Sequence, residues 1–293
     1  MSSVKLIGRI IANTYYDFQQ VRIRSMNRIR DIIRKKIEGI AFDEVEEKKD
    51  QKNFLKKYTD DVLLKKWDNL FTEGEIPKNE HDYMIKCWNL MKEGKNIENR
   101  YKSAMLNYVS EEIVYNEFLN KIRGIGPVLS ANLIKEFGDC SNYDNVSRIW
   151  AHTGNSVING IAPKRRKGEL LSYNPKLRTM TWKISDSLLK QNKGYYRQIY
   201  DTEKEKQLNK IYDEGFLEQR YGKPYKANDT KLSKLHAHNR ALRKMRKIFL
   251  DHFWHASREL NGLPAEKNYV EGVLQHNHII TWKKAISREG SGS

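Results

Sequence analysis

Apolar side chains recur every three or four residues along most of the chain, and alternation with a period of two is nearly absent. That spacing belongs to helices, so an all-α fold is expected: a long N-terminal helix, a candidate coiled coil, followed by a helical bundle. Residues 4–37 read as one helix. Val4, Ile7, Ile11, Thr14, Phe18, Val21, Ser25 and Ile29 alternate at four and three, and Ile32, Ile33 and Ile37 prolong the face. Heptad spacing over more than three repeats suits a coiled coil, and hence a homodimer. Thr14 and Ser25 weaken that seam, and the alternative is a long helix packed on its own domain. Arg22, Arg24, Arg28, Arg30 and Arg34 lie between the apolar positions.

Further helices are expected over 43–70, over 79–93 with a stop at Gly94, and over 96–120. The same reading gives helices over 179–193, 195–214 and 232–261. The last is amphipathic, with Leu235, Leu242, Met245, Phe249, Phe253 and Leu260 on one side and Arg240, Arg243, Lys244, Arg246 and Lys247 crowding its middle.

The most specific stretch runs from Ile122 to Gly138. Gly124 and Gly126 fall in a turn, and Pro127 opens a helix where its missing N–H costs nothing. Two glycines let a tight turn lie against a phosphate, and free amides at a helix start donate to its oxygens. The pattern resembles a helix-hairpin-helix motif, with Lys121, Arg123, Gly124, Ile125, Gly126 and Lys135 as candidate nucleic-acid contacts. The alternative is an ordinary turn between helices. A dinucleotide site is disfavoured, because no strand precedes the glycines and the third glycine of that fingerprint is missing. Beyond the hairpin, Ser141 or Asn142 is the expected cap of a short helix carrying Val146, Ile149 and Trp150, with His152 near its end.

Charge sharpens this picture. The 293 residues carry 54 Lys and Arg against 37 Asp and Glu, a net +17. The balance is +6 over residues 1–40, −4 over 41–120 and +13 over 161–260. With a mean hydropathy of −0.79, this composition points to a polyanionic partner. Lys164, Arg165, Arg166 and Lys167 form a compact basic loop, followed by Lys176, Arg178 and Lys183. These residues, with Arg243, Lys244 and Lys247, complete the candidate nucleic-acid-binding set. Contacts of this kind position a backbone and read no bases.

The hairpin, the run Trp150-Ala-His-Thr-Gly154 and the segment Tyr15–Arg28 together resemble the C-terminal part of DEDD-class insertion-sequence transposases. In that family a coiled coil and a helix-hairpin-helix domain follow an RNase H-like nuclease domain. The resemblance covers roughly 4–36 and 118–260. It implies DNA binding in a transposase-derived or virus- or plasmid-type protein. The chain opens at the long helix, so the nuclease domain with its four acidic metal ligands is expected to be missing. The family's serine nucleophile stands in a Ser-Gly context. Here Ser156 lacks the following glycine and is a weak catalytic candidate. Tyr173-Asn-Pro-Lys-Leu-Arg178 stands where the family has Gly-Asn-x-x-Leu-Arg.

The chemistry-bearing residues are otherwise dispersed. Six of eight histidines fall after residue 230, but only His252 and His255 share a helical face with short spacing. No metal and no cofactor are expected. Mg²⁺ enters only if Asp139, Asp144, Asp186 and Asp213 serve a nuclease. Cys87 and Cys140 make neither a disulfide framework nor a zinc site. No run of 18 apolar residues occurs, and the start carries no signal core. A cytoplasmic, nucleoid-associated protein without a membrane partner is expected, or one in a host cytoplasm if viral. The expected organisation is a basic helix for dimerisation over 1–40, an acidic scaffold over 41–117 and a hairpin domain with the basic loop over 118–225. A basic helical region over 226–289 and a linker-like tail over 290–293 follow. The leading function is non-catalytic binding of duplex or branched DNA. The alternatives are a strand transferase or metal-dependent nuclease, and an RNA-binding or genome-packaging protein.

Overall fold

The computed structural model describes residues 3–38, 59–157, 162–165, 167–221, 231–265 and 280–290. Its regular elements are all helical. They are α1 Ser3–Glu38, α2 Asp60–Thr72, α3 Lys78–Ser110, α4 Ile113–Glu117, a 3₁₀ turn Leu119–Lys121, α5 Pro127–Phe137 and α6 Val146–His152. Then come α7 Pro175–Lys190, α8 Tyr195–Asn209, α9 Glu214–Tyr221, α10 Lys234–Leu260 and α11 Trp282–Gly290. Among the described residues no helix is long and apolar enough to cross a membrane. The chain forms two compact units, a small one of Ile10–Ala104 and a large one of Met1–Arg9 with Met105–Ser293.

The small unit is built on one apolar cluster. Met26, Ile29 and Ile33 of α1 meet Leu63 and Trp67 of α2, Ile76, and Met84 and Trp88 of α3. Phe18 and Val21, on the expected coiled-coil seam, remain exposed. The helix stop expected at Gly94 does not occur. α3 runs through it because the Gly94 Cα rests against the Arg22 side chain, with ordinary van der Waals room even for a methyl group. A glycine in mid-helix costs only about 1 kcal/mol against alanine, too little to end a helix that is packed on both sides of it. The helix instead ends at Ser110, and the short α4 takes up residues expected to continue it. The expected 43–70 helix is described only from Asp60; residues 39–58 lie outside the described set.

The large unit is organised around α10, which packs against α4, α6, α7, α8 and α11. Its apolar face buries Leu242, Met245, Phe249, Phe253 and Trp254. Phe249 stacks on Phe118 and meets Tyr196 edge-on, while Phe253 meets Phe137. Leu235 is the exception on that stripe, 70% exposed one turn before the core begins. Buried Arg258 ties the loop after α5 to the helix, donating to the Cys140 carbonyl at 2.9 Å and to Pro264 at 2.7 Å. Caps set the helix starts. Asn174 accepts from the Lys176 and Leu177 amides ahead of Pro175 in α7, and Ser233 accepts from the His236 amide in α10. At α6 the cap is Asn145, not the expected Ser141 or Asn142, because the Ser141 hydroxyl already donates to Asp139 at 2.8 Å. Asparagine and serine at these positions satisfy amides that have no intrahelical partner.

Candidate nucleic-acid interface

α7, α10 and the loop after α6 enclose a cleft of about 590 Å³. Gly154, Asn155, Ala162, Pro163 and Lys164 form one wall, and Arg178, Thr179 and Trp182 of α7 a second. His236, Asn239, Arg240, Arg243 and Arg246 of α10 form the third. Among the described residues the lining holds five Lys and Arg side chains and neither Asp nor Glu. Residues 240, 243 and 246 step by three, which keeps their side chains on one stripe of α10.

The way these guanidiniums are held is specific. Arg246, 8% exposed, donates to Ser185 Oγ at 3.2 Å and to Asn155 Oδ1 at 3.0 Å. The Asn155 amide is fixed in turn by Thr153 Oγ1 at 2.8 Å and Thr181 Oγ1 at 3.3 Å. Arg178 donates to the Pro163 carbonyl at 2.8 Å and lies over the Tyr173 ring at 4.7 Å. Arg240 donates to Gln207 Oε1 at 3.0 Å and Tyr212 Oη at 2.7 Å, against the Tyr212 and Phe216 rings. All of these acceptors are neutral, so the hydrogen bonds fix orientation and leave the positive charge in place. Burial, with the neighbouring Arg243 and Arg178 guanidiniums, brings Arg246 down to about 9. It is still protonated near neutrality, and it raises the local positive potential.

Gly154 makes room for this arrangement. Its φ is +66°, and a β-carbon there would lie 2.8 Å from the Tyr173 ring and 3.3 Å from the Arg178 side chain. Ser156 follows Asn155, and its amide donates to the Trp150 carbonyl at 3.1 Å.

The hairpin behaves differently from expectation. Gly124 has φ +84° and is packed against α7, where Ser187 Oγ donates to its carbonyl at 2.7 Å. A β-carbon on Gly124 would come within 3.0 Å of Gln191 and 3.1 Å of the Ser187 carbonyl. Ile125 is 4% exposed and belongs to the core. The Arg123 amide donates to the buried Glu289 carboxylate, which also accepts from Tyr195 and Tyr196. Much of the turn is therefore spent on internal contacts, because α7 and α11 pack where a nucleic-acid backbone was expected. Gly126 alone stays open, with free space where a β-carbon would stand, and α5 begins after it at Pro127 with no side-chain cap.

The remaining candidates divide. Lys164, Arg165, Lys167 and Lys176 are exposed, and Arg166 lies outside the described residues. Lys121 is paired with Glu117 at 2.7 Å. Lys135 is 9% exposed rather than presented at the surface; burial lowers its pKa despite Glu136, and Arg9 and Lys176 add to the lowering. Burial likewise lowers Lys183. Of the α10 candidates, only Arg243 enters the cleft. Lys244 is bound to Glu203 at 2.6 Å, and Lys247 lies over the Trp150 ring at 3.8 Å. Burial raises the Glu203 carboxyl, but hydrogen bonds from Lys244 and Gln207 outweigh it and leave its pKa lowered.

Sequence reasoning missed Asn155, Trp182, Arg240 and Arg246 as site residues. The i, i+3, i+6 stripe of arginines was visible. Its separation from Lys244 and Lys247, one position further round the helix, was the available signal.

Three histidines of the large unit bond to tyrosine hydroxyls. His252 accepts from Tyr196 Oη at Nδ1 and donates to the Ile280 carbonyl from Nε2, each at 2.8 Å. Burial brings it down to about 4, the neutral form this bonding requires. His238 Nδ1 is 2.6 Å from Tyr200 Oη and His152 Nδ1 is 2.8 Å from Tyr143 Oη. Among the described residues no three His, Cys, Asp or Glu side chains gather as a metal set. No family model, curated protein or solved structure matches the chain.

Proposed function

We propose that this protein binds nucleic acid, DNA in the first instance, by gripping phosphates in the arginine cleft, without cutting the strand. The observation that carries this reading is that Arg178, Arg240 and Arg246 are held on neutral oxygens in a lining whose described residues include no carboxylate. Phosphate oxygens are the complementary ligand, since Arg donates in a planar fork that matches them. The exposed loop cations Lys164, Arg165 and Lys167 extend the same field, and the open start of α5 at Gly126 offers a secondary set of amides. Read this way, the chain is a DNA-binding relative of the helix-hairpin-helix part of DEDD-class transposases, acting on duplex or branched DNA. Val21, exposed on the heptad seam of α1, supports a homodimer as its working form, while Phe18 of that seam stacks on Tyr101 and Ile29 is buried in the small unit's own core.

Binding to labelled DNA across a salt series tests the reading. A protein that neutralises about four phosphates gives a log K against log salt slope of about −4. A slope near zero, or no binding at 50 mM salt, overturns it. Unchanged affinity in an Arg243→Gln, Lys164→Gln double variant with an unaltered melting temperature moves the interface away from the cleft.

A further inference from the structure

We propose that the cleft is a seat for an unpaired nucleotide, whose base stacks on Trp182 while its phosphates lie among the arginines. This rests on the nucleic-acid reading above and names the part of the strand that enters.

Trp182 is the feature that general phosphate binding leaves unused. It lies on α7 between Thr181 and Ile184, both fully buried, yet it is itself 49% exposed. Single exposed apolar side chains are ordinary on protein surfaces. This one lines a cleft whose other polar side chains are four guanidiniums, Lys164, Thr179, His236, Asn155 and Asn239. An aromatic face beside fixed cations is the pairing that single-stranded binders use, with the ring taking a base and the cations following the backbone.

Size and access decide which strand state fits. At about 590 Å³ the cleft is the size of a small-ligand pocket. A double helix, whose major groove alone is about 12 Å wide, reaches the rim with its phosphates but keeps its bases stacked on one another. Only an unstacked base presents a free face to an indole. Arg178, Arg240 and Arg246 are oriented before any ligand arrives, through Asn155, Ser185, Gln207, Tyr212 and Pro163. A nucleotide therefore meets formed donors and does not have to order them. Thr179 and Asn239 supply neutral hydrogen-bonding groups at the same walls.

The test uses the full chain and fluorescence anisotropy with three labelled probes at one salt concentration: oligo(dT), oligo(U) and a blunt duplex. Wild type, Trp182→Phe and Trp182→Ala are compared, with melting temperatures as the folding control. Stacking on one aromatic ring corresponds to about tenfold in affinity. The expected result is about a tenfold loss on both single strands for Trp182→Ala and recovery in Trp182→Phe. Duplex affinity is expected to change by less than about twofold. The relative strength of oligo(dT) and oligo(U) in wild type identifies the source of the strand, and either order supports the seat while the Trp182 dependence holds. Equal loss on duplex and single strands, or no loss on any probe, overturns the seat and leaves phosphate binding standing. Absence of binding to all three probes by wild type overturns both.

Discussion

The interhelical pairs of the small unit and the cleft of the large unit use arginine in opposite ways. In the small unit, Arg22 reaches the Glu98 carboxylate from both Nε and Nη2, and Arg30 meets Asp60 through two contacts at 2.8 and 2.7 Å. Their charges are each cancelled by a carboxylate. In the large unit, Arg178, Arg240 and Arg246 are held just as firmly, but by a carbonyl, two amides and two hydroxyls. The residue type is the same and the number of hydrogen bonds similar. What differs is whether the field is cancelled where it arises. An acidic stretch of sequence supplied the small unit with counter-charges, and the described residues of the cleft lining include none, so its charge is directed outward. Net charge alone does not reveal this distinction, since an arginine on a carboxylate and one on a neutral oxygen count alike.

The largest effect expected from breaking this contrast lies in the small unit. Glu98 is 1% exposed, and among the described residues it has, besides Arg22, only Lys95 at 3.5 Å. Arg22→Ala leaves a buried carboxylate poorly compensated, which costs about 3–5 kcal/mol. Calorimetry should show a drop of many degrees, with DNA affinity of the folded protein unchanged. A stable Arg22→Ala variant would show that the pair contributes little. Next in size is the reverse experiment. Arg243→Gln with Lys164→Gln removes two phosphate donors, at about 1.5 kcal/mol or more each. That is about a hundredfold loss of DNA affinity, with the melting temperature held within a few degrees. Arg243→Lys should recover only part of it, because an ammonium lacks the planar fork.

A carboxylate in the large unit sharpens the comparison through pH. Asp251 lies 3.8 Å from His255, and burial lifts it from 3.8 to about 7, with Lys247 pulling the other way. An acid with a raised folded pKa destabilises the fold as pH rises from about 4 to 7, because the unfolded chain releases its proton first. His252, lowered to about 4, acts oppositely, and its contribution is lost as pH falls from 6.5 through 4. The two slopes offset each other across that window. Asp251→Asn removes one of them. Thermal melts should then show a gain of a few kcal/mol at pH 8, vanishing toward pH 4, with stability falling as pH drops below 6.5. A parallel pair of curves for wild type and variant would show that Asp251 does not titrate in this range.

The helical class was legible from spacing, and α10 came within two residues of its expected ends because its apolar stripe, its Ser233 cap and Asn261 all agree. Gly94 misled because a glycine signals a stop only when packing does not override it. The hairpin was legible as a turn but not as a site, since nothing in Ile122–Gly138 tells that Ser187, Gln191 and Glu289 arrive from far along the chain to occupy it. The cleft needed three separated segments to converge. Its arginines were visible as charge, while their neutral acceptors, Asn155, Ser185, Gln207 and Tyr212, carry no sequence signature at all. Lys244 and Lys247 looked equivalent to Arg243 until Glu203 and Trp150 claimed them.

The smallest expected effect bounds how far ion pairing itself matters. The Arg30 and Asp60 side chains are 27% and 43% exposed, against 1% for Glu98. Water screens the pair, and ordering two long side chains offsets part of the attraction, so Arg30→Gln should cost about 1 kcal/mol or less. The loss should shrink further at 1 M salt, where screening acts over about 3 Å. If Arg30→Gln and Arg22→Ala cost the same, burial is not what separates the two pairs, and the contrast between closed and open arginines would rest on partner identity alone. If Arg30→Gln instead weakened DNA binding at unchanged stability, part of the small unit's charge would act outward as well. The division drawn between the two units would then be one of degree.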